Sequence, residues 1–295
     1  MTDWDTGGVD PVAMARERIG AALFERVAGT EGPARRERIW NTEGERRFGP
    51  DSAIYRVHSD ASMFVGGIRA LLLQSLHPLA MAAVDQHSGY RGDPWGRLQR
   101  TSAFLAETTF ATTVQADQAI AVVRSVHDRI EGVTPDGRPY RAADPHLIRW
   151  VHIAEIDSFL RAHDRYGADP LDAAGRDAYV ADAAHVARGL GAVDVPETVD
   201  ELEAVMSDYR PELQSTEAAR RTARFILLRP PVPWSQRTPY SLLCAAGVAL
   251  LPRWSRWPLR LPYLPLTEAT TVRAAGMAMT GTIRWAMGAE DSTTK

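Results

Sequence analysis

Apolar positions along the chain recur mostly at the spacing of helices. Between residues 62 and 84 they return every three or four positions on a broad face, which predicts a largely buried helix. Pro78 lies inside this stretch. Because proline removes a backbone hydrogen bond and clashes with the preceding turn, we predict a break just after His77. Asp144 and Pro145 supply a cap and a first-turn proline, so another buried helix is predicted from there to about Tyr166.

The same spacing predicts helices over most of the remaining chain. The predicted segments are 13–27, 95–109, 115–130, 172–189, 197–208, 214–228, 240–251 and 268–287. No segment alternates apolar and polar residues over the length of a strand. We therefore predict an all-α protein, a single large helical domain of roughly eight to ten helices. Residues 1–47 are charged and rich in Arg, Glu and Gly, which predicts an N-terminal extension packing on a domain of residues 48–295.

Composition narrows the class of protein. The 295 residues are 45% hydrophobic and 24% charged, as in ordinary soluble domains, and the net charge of −3 argues against a nucleic-acid partner. Lys295 is the only lysine, which excludes a Schiff base on an internal lysine. The single Cys244 excludes an internal disulfide and a cysteine-rich metal site. The acidic N-terminus has no apolar h-region, so we expect a cytoplasmic protein.

Basic residues are concentrated near the C-terminus. Between Glu217 and Glu268 there are eight arginines and no acidic residue, and aromatic residues are interleaved among them. The aromatic residues are Trp234, Trp254, Trp257 and Tyr263. A basic, Trp-rich stretch at 220–263 favours peripheral contact with an anionic membrane. The other interpretation is that these arginines pair with the acidic segment 197–212 while the tryptophans fill the core.

Motifs that would identify common catalytic sites are missing. The chain contains no phosphate loop, no GxSxG elbow and no HExxH helix. It also lacks the Glu-x-x-His pairs of diiron bundles, since His152-x-x-Glu155 has the opposite order. Isolated histidines on helices remain, notably His127 and His152. Such a residue is either a hydrogen-bonded core side chain or a ligand, and one axial histidine in an apolar pocket is enough to hold haem b.

One helix carries a cluster of polar residues. Arg97, Arg100 and Thr101 follow the i, i+3, i+4 spacing, so they share one helix face. Two guanidinium groups and a hydroxyl there suit an anionic or oxygen-bearing ligand. An ordinary ion-paired surface is the other interpretation.

Several stretches together resemble a known family. They are the run 48–52 and the segments GGIRALLLQSLHP, DQHSGY, WGRLQRT, VHDRIEG and WVHIAEIDSFL. Over residues 48–228 the chain resembles the oxygenases that include bacterial latex-clearing protein, a rubber oxygenase, and the fungal MpaB-type oxygenases. The resemblance implies an all-helical fold with a globin-like core, haem b as the cofactor, and the use of dioxygen.

The resemblance also implies roles for particular residues. His127 matches the proximal haem ligand of the rubber oxygenases, and Arg97 and Thr101 match paired polar residues of the distal helix. Arg100 stands where the rubber oxygenase has a distal lysine that coordinates iron, whereas an arginine stays protonated and cannot coordinate. No clear counterpart of the catalytic glutamate of rubber cleavage is found. We also expect no secretion signal, so an external polymer is a poor candidate substrate.

Our hypothesis is a haem b-dependent oxygenase that acts with dioxygen on a small apolar intracellular substrate. His127 is the predicted axial ligand of the iron, and Arg69 or His77 is predicted to hold a haem propionate. Arg97, Arg100 and Thr101 are the predicted catalytic residues on the oxygen side. The alternative is a non-catalytic helical protein that binds haem or a lipophile, with peripheral membrane contact through residues 220–263.

Overall fold

The computed structural model describes residues 10–89, 92–230 and 232–288 of the chain. Within these residues the chain forms fourteen α-helices, one short 3-10 helix and a two-stranded hairpin. The prediction of an all-α single domain is confirmed, and the number of helices is somewhat above the predicted range. The division into residues 1–47 and 48–295 stays a prediction.

The helices are numbered in chain order. The first seven are α1 (Pro11–Ala28), α2 (Gly32–Asn41), α3 (Ala53–Ser59), α4 (Met63–Gln74), α5 (Pro78–His87), α6 (Pro94–Phe110) and α7 (Thr113–His127). Strands β1 (Glu131–Val133) and β2 (Pro139–Arg141) follow. The next helices are α8 (Pro145–Tyr166), α9 (Ala173–Leu190), α10 (Val199–Asp208), α11 (Glu217–Leu228), α12 (Trp234–Ala249) and α13 (Arg253–Arg256), with the 3-10 helix Arg210–Glu212 after α10. Helix α14 comprises Pro265–Thr267, the π-helical turn Glu268–Val272 and Arg273–Met287.

The additional helices are short and bury few residues. Residues 32–41, which none of the predicted helices covers, form α2, where Gly32 and Ile39 are the buried residues. Helix α3 has seven residues and α13 has four. Apolar periodicity is recognised over several helical turns. Helices this short have too few buried positions for the pattern to predict them.

The predicted break at Pro78 is present and separates α4 from α5. Pro78 occupies the first turn of α5, where its missing N–H leaves no hydrogen bond unmade. The imidazole of His77 caps α5, because Nδ1 accepts from the backbone N–H of Ala80 at 3.5 Å. The chain bends by 108° between the two helices. His77 is therefore held at a buried corner of the fold.

The centre of the protein is the pair formed by α4 and α8. Gly66 of α4 lies against Phe159 of α8, and Gln74 donates from Nε2 to the carbonyl oxygen of Val151 at 3.1 Å. The later residue of α4 contacts the earlier residue of α8, so the two helices are antiparallel. Trp150 of α8 is fully buried and donates from Nε1 to the carbonyl oxygen of Gln74 at 3.2 Å. This pair fixes the frame against which the other helices pack.

The strands β1 and β2 form a short antiparallel hairpin directly after α7. Gly132 pairs with Tyr140 in its register, and the segment between the strands is a turn that contains Pro135 and Gly137. Tyr140 is buried, and its hydroxyl donates to Oε1 of Gln86 at 2.7 Å. The hairpin therefore fastens the end of α7 to the end of α5.

One interpretation of the arginine-rich segment was that its arginines form ion pairs with residues 197–212. The described ion pairs of this segment are made with other residues. Among the described ion pairs, Arg221 contacts Asp85 at 3.2 Å and Arg256 contacts Glu268 at 2.6 Å. Trp257 and Trp234 are 88% and 81% exposed, so they do not fill the core.

No single helix among the described residues is long and apolar enough to cross a bilayer. Helices α4 and α5 would meet that requirement only when taken together across their bend.

Candidate functional site

The predicted polar cluster on α6 is divided between a half-buried and an exposed part. Arg97 is half-buried and donates from Nη1 to the hydroxyl oxygen of Ser88, at the end of α5, at 3.2 Å. The Arg100 side chain is 65% exposed and lies 3.5 Å from Oδ2 of Asp93. Thr101 is exposed, and its hydroxyl donates to the carbonyl oxygen of Arg97 at 3.1 Å. Of the three side chains, Arg97 is the one that is bonded to a second helix.

His127 is the last residue of α7 and is half-buried. Its Nδ1 atom is buried and has no hydrogen-bond partner within the described part of the chain. Burial lowers the pKa of His127, although the neighbouring carboxylate of Asp128 opposes the shift. The imidazole is therefore neutral near pH 7 and retains a lone pair, which is the form that binds a metal. A buried ring nitrogen without a partner is costly unless a bound group satisfies it.

The hairpin after His127 and the side chain of Arg97 both contact the C-terminal end of α5. The hairpin that follows His127 contacts this end, because Nε2 of His87 lies 3.0 Å from the hydroxyl of Tyr140. Arg97 reaches the next residue, Ser88. The structure therefore brings the predicted ligand and the half-buried arginine toward one end of one helix, although 30 positions separate them in sequence.

The two predicted propionate residues have protein partners. The guanidinium of Arg69 is buried and donates to Oδ2 of Asp157 and to the hydroxyl oxygen of Ser158, each at 2.6 Å. It also donates to the carbonyl oxygen of Leu250 at 2.9 Å. His77 lies at the corner between α4 and α5, where Nε2 is 3.4 Å from Oε2 of Glu212. The propionate role of either residue stays a prediction.

Helix α8 contributes two ionisable residues that the sequence singled out without assigning a role. Burial lowers the pKa of His152 to about 3 and raises the pKa of Glu155 to about 7. Nε2 of His152 is buried and lacks a hydrogen-bond partner among the residues described. Both residues nevertheless keep some accessible surface. Side chains that are surrounded by protein yet remain accessible line an internal cleft. The reversed His152-x-x-Glu155 pair was the signal for this site.

The side of the α4–α8 pair on which this cleft lies follows from the contacts of Arg69. On one side of the pair, Arg69 reaches Asp157. Helical spacing places Gly67 and Leu71 on the side of α4 that faces away from Arg69. On α8, it places Glu155 on the side that faces away from Asp157. Leu71 is 37% exposed although α4 lies at the centre of the fold, and a Cβ built on Gly67 would meet no atom within 4 Å. Open space therefore lies beside Gly67 and Leu71 on that side of α4.

A hydrogen-bonded chain of three polar side chains ends close to Glu155. Nδ1 of His58 lies 2.8 Å from the hydroxyl of Thr109 on α6, and Nε2 lies 3.3 Å from the hydroxyl of Tyr179 on α9. Burial lowers the pKa of His58 to about 3, so its imidazole is neutral. Burial raises the pKa of Tyr179, and the nearby Glu155 adds to the shift. The cleft therefore holds neutral imidazoles and a carboxyl group that titrates near pH 7.

Two open clefts of about 500 and 430 Å³ lie elsewhere, between α8, α12 and α14. The lining of the larger cleft is mostly charged, Arg165 and Arg273 line both clefts, and neither lining includes a histidine of the described residues. Volume alone would favour these clefts. The unpartnered ring nitrogens favour the interior cleft instead, because buried polar atoms without partners indicate where a ligand is needed.

The fold is all-helical, and neutral histidines lie half-buried among its helices. Residues 55–285 of the chain match the model of one family, described as ER-bound oxygenase mpaB/B'/Rubber oxygenase, catalytic domain. The chain belongs to this family, and the resemblance inferred from its motifs is confirmed. The match extends beyond residue 228, where the recognised motifs end. No curated protein and no solved structure matches the chain.

The family is one of oxygenases, which supports an oxygenase-like activity for this chain. An oxygenase requires dioxygen and a substrate, and the family suggests a metal or haem cofactor.

Proposed function

We propose that the protein is a haem b-dependent oxygenase that acts on a small apolar substrate, with His127 as the axial ligand. The observation that carries the proposal is the neutral imidazole of His127, whose buried Nδ1 has no hydrogen-bond partner within the described residues. Haem b requires little else of its protein than one such ligand in an apolar helical pocket. The residues present therefore fit the cofactor.

When bound, haem b supplies the redox chemistry by which dioxygen is activated. The protein supplies the pocket. Phe64 and Val151 are partly buried apolar residues of α4 and α8, and Leu71 of α4 is 37% exposed. These side chains would exclude water and contact an apolar molecule. Arg97 supplies a half-buried cation for a propionate or another anionic group.

Glu155 is the residue of the cleft best suited to proton transfer. With a pKa of about 7, its carboxyl oxygens both hold and release a proton close to neutral pH. His152 and His58 keep their neutral forms, since burial lowers both pKa values to about 3. His58 holds the hydroxyls of Thr109 and Tyr179 by hydrogen bonding, and neither imidazole exchanges protons with solvent at neutral pH.

The test is the absorption spectrum of protein expressed with haem supplied. We expect a Soret band in the wild-type chain, its loss in His127→Ala, and its retention in His185→Ala, which removes an exposed histidine on α9. A colourless wild-type preparation after reconstitution would overturn the proposal. Haem binding unchanged in His127→Ala would overturn the assignment of the ligand.

Catalysis and mere binding are distinguished by turnover. An oxygenase consumes dioxygen when apolar candidate substrates are added to the haem-loaded chain. A carrier retains the Soret band and consumes none. Glu155→Gln, which removes the titrating carboxyl while keeping a similar shape, is expected to lower turnover and leave haem content unchanged.

We also propose that the protein contacts anionic membranes through residues 220–263 and the adjoining Leu266. Trp257, Leu266 and Trp234 are 88%, 84% and 81% exposed, and the guanidinium of Arg237 lies 3.7 Å from the ring centre of Trp234. Exposed tryptophans beside arginines suit the interface of a negatively charged bilayer.

Sedimentation with vesicles tests this membrane contact. Binding is expected to anionic vesicles at low salt, to weaken in Trp257→Ala, and to persist in Trp40→Ala, where the side chain replaced is 48% exposed elsewhere in the fold. Equal binding of both variants would exclude the segment as the contact.

A further inference from the structure

A second cluster of ionisable side chains lies outside the cleft. His77 at the α4–α5 corner, His146 in the first turn of α8 and Glu212 in the 3-10 helix after α10 point at one another. One donor atom from each residue lies within 4.8 Å of the others. The three residues come from separate segments, and His146 and Glu212 alone are 66 positions apart.

The spacing of the donor atoms suits a small divalent cation. Zinc binds histidine nitrogen and carboxylate oxygen at about 2.0–2.2 Å in a tetrahedron, whose ligand atoms are therefore about 3.3–3.5 Å apart. Nε2 of His77 lies 3.4 Å from Oε2 of Glu212. Nε2 of His146 lies 2.9 Å from the same oxygen, so this contact must lengthen by about half an ångström to admit the ion. Side-chain rotation of the half-exposed Glu212 achieves that.

The deepest of the three ligands makes a long contact with its carboxylate neighbour. His77 is 2% exposed, and its buried Nε2 atom lies 3.4 Å from Oε2 of Glu212 without the geometry of a hydrogen bond. A cation between the two atoms would satisfy the imidazole nitrogen and the carboxylate together. Binding at Nε2 would move the imidazole proton to Nδ1 and cost the 3.5 Å contact in which Nδ1 accepts from the N–H of Ala80.

The second ligand is oriented in the manner of metal-binding histidines. Nδ1 of His146 lies 3.2 Å from the hydroxyl of Tyr209, which also receives a hydrogen bond from Nε of Arg149 at 3.0 Å. The hydroxyl in turn donates to the backbone carbonyl oxygen of His146 at 2.8 Å. This arrangement makes Nδ1 the donor and leaves Nε2 directed at Glu212. A partner that fixes the outer ring nitrogen is a regular feature of histidine ligands.

The electrostatics also favour a cation. Glu212 supplies a carboxylate oxygen that lies 3.4 Å from Nε2 of His77 and 2.9 Å from Nε2 of His146. The side chains of His146 and Glu212 are 41% and 45% exposed. An ion can therefore enter from the solvent side, and water can complete its coordination.

We propose that His77, His146 and Glu212 form a zinc site that joins the α4–α5 corner, the start of α8 and the segment after α10. The site is separate from the interior cleft and does not depend on the proposed haem. Its two histidines and one carboxylate leave a fourth position for water. Its main effect is to hold three distant segments together, since an ion that binds only the folded chain stabilises it.

The test is a zinc titration of the full chain, prepared without an affinity tag and treated with a chelator. We expect one Zn²⁺ per chain in isothermal calorimetry, with the same affinity in haem-free and haem-loaded protein. X-ray absorption of the zinc-loaded chain should show only nitrogen and oxygen ligands at about 2.0–2.2 Å.

Variants separate a built site from a chance cluster. Glu212→Gln and His146→Gln are expected to weaken zinc binding at least 100-fold. Tyr209→Phe, which removes the hydroxyl that orients His146, should weaken it about 10-fold to 100-fold. His185→Gln, the exposed-histidine control, should bind as the wild type does. His77→Gln is left for last, because a buried change at this corner can impair folding.

Three results would overturn the proposal. The first is a wild-type chain that binds no zinc, in which case the residues form an ion pair only. The second is an affinity unchanged in Glu212→Gln and His146→Gln. The third is zinc binding that is lost in His127→Ala instead, which would place the metal in the interior cleft.

Discussion

Arg69 offers the sharpest test of how the structure assigns a residue, because two roles make opposite predictions. The sequence suggested that it holds a haem propionate. In the structure its guanidinium is buried among Asp157, Ser158 and the carbonyl oxygen of Leu250. We consider the variant Arg69→Met, which keeps the length of the side chain and removes its charge.

The expected loss of stability follows from the groups left behind. Removing one partner of a buried ion pair costs about 3–5 kcal/mol, since the other charge remains buried. Asp157 keeps a second partner, Nε of Arg161 at 3.2 Å, whose side chain is 37% exposed. We therefore expect the lower end of the range, about 3 kcal/mol. For a domain of this size that corresponds to a fall in Tm of roughly 6–12 °C.

Urea unfolding of the haem-free chain, followed by circular dichroism, measures the effect. The double variant Arg69→Met/Asp157→Leu removes both charges, and we expect it to recover most of the loss, to within about 1 kcal/mol of the wild type. Arg69→Met, the single variant Asp157→Leu and the double variant form a double-mutant cycle, which gives the coupling free energy between the two side chains.

The reasoning is refuted if Arg69→Met unfolds at the wild-type urea concentration. Refutation would be complete if the same variant lost haem affinity, because the guanidinium would then serve the cofactor instead of Asp157. A destabilised variant with unchanged haem affinity per folded molecule supports the structural role.

Three further predictions concern the core. Glu155 has a folded-state pKa of about 7, above its ordinary value of 4.5, so the native state holds its proton longer than the unfolded chain does. Stability should fall by up to about 3 kcal/mol as pH rises between those values, and Glu155→Gln should abolish that dependence in urea titrations at several pH values. Gly66→Ala should destabilise by about 1–3 kcal/mol, because its Cβ would lie 2.7 Å from the ring of Phe159 and 3.2 Å from a backbone oxygen of α8. A Cβ at Gly67 would meet no atom within 4 Å, so Gly67→Ala should instead stabilise the haem-free chain by about 0.5–1 kcal/mol. A higher melting temperature for Gly66→Ala than for Gly67→Ala would contradict the described packing. Burial raises the pKa of Cys244 to about 12, so a thiol reagent should modify this residue only as the chain unfolds. If the folded protein reacted at the rate of a free thiol, Cys244 would be accessible to solvent and the prediction would be wrong.

The predicted helices agree with the structure wherever the apolar stripe is several turns long. The break at Pro78 and the cap at Asp144 were also predicted, because proline and capping residues act within a few positions of themselves. The short helices α2, α3 and α13 were not predicted, since few of their residues are buried and the pattern is incomplete.

The candidate site was predicted only in part. The motifs led to the family and to His127, and the family is confirmed, whereas the role of His127 stays a prediction. The sequence noted the spacing of His152 and Glu155. Their lowered and raised pKa values arise from burial, which depends on the helices packed around α8 and cannot be read from the two residues.

The sequence by itself determined the class of the fold, most of its helices and the family to which the chain belongs. These are properties of local spacing and of short motifs. The tertiary structure alone decided that Arg69 faces Asp157, that His77 meets His146 and Glu212, and that Arg100 is exposed while Arg97 is half-buried. The physical reason is that these contacts join helices far apart in the chain. Their partners are set by how whole helix faces pack, and the spacing within one helix does not contain that information.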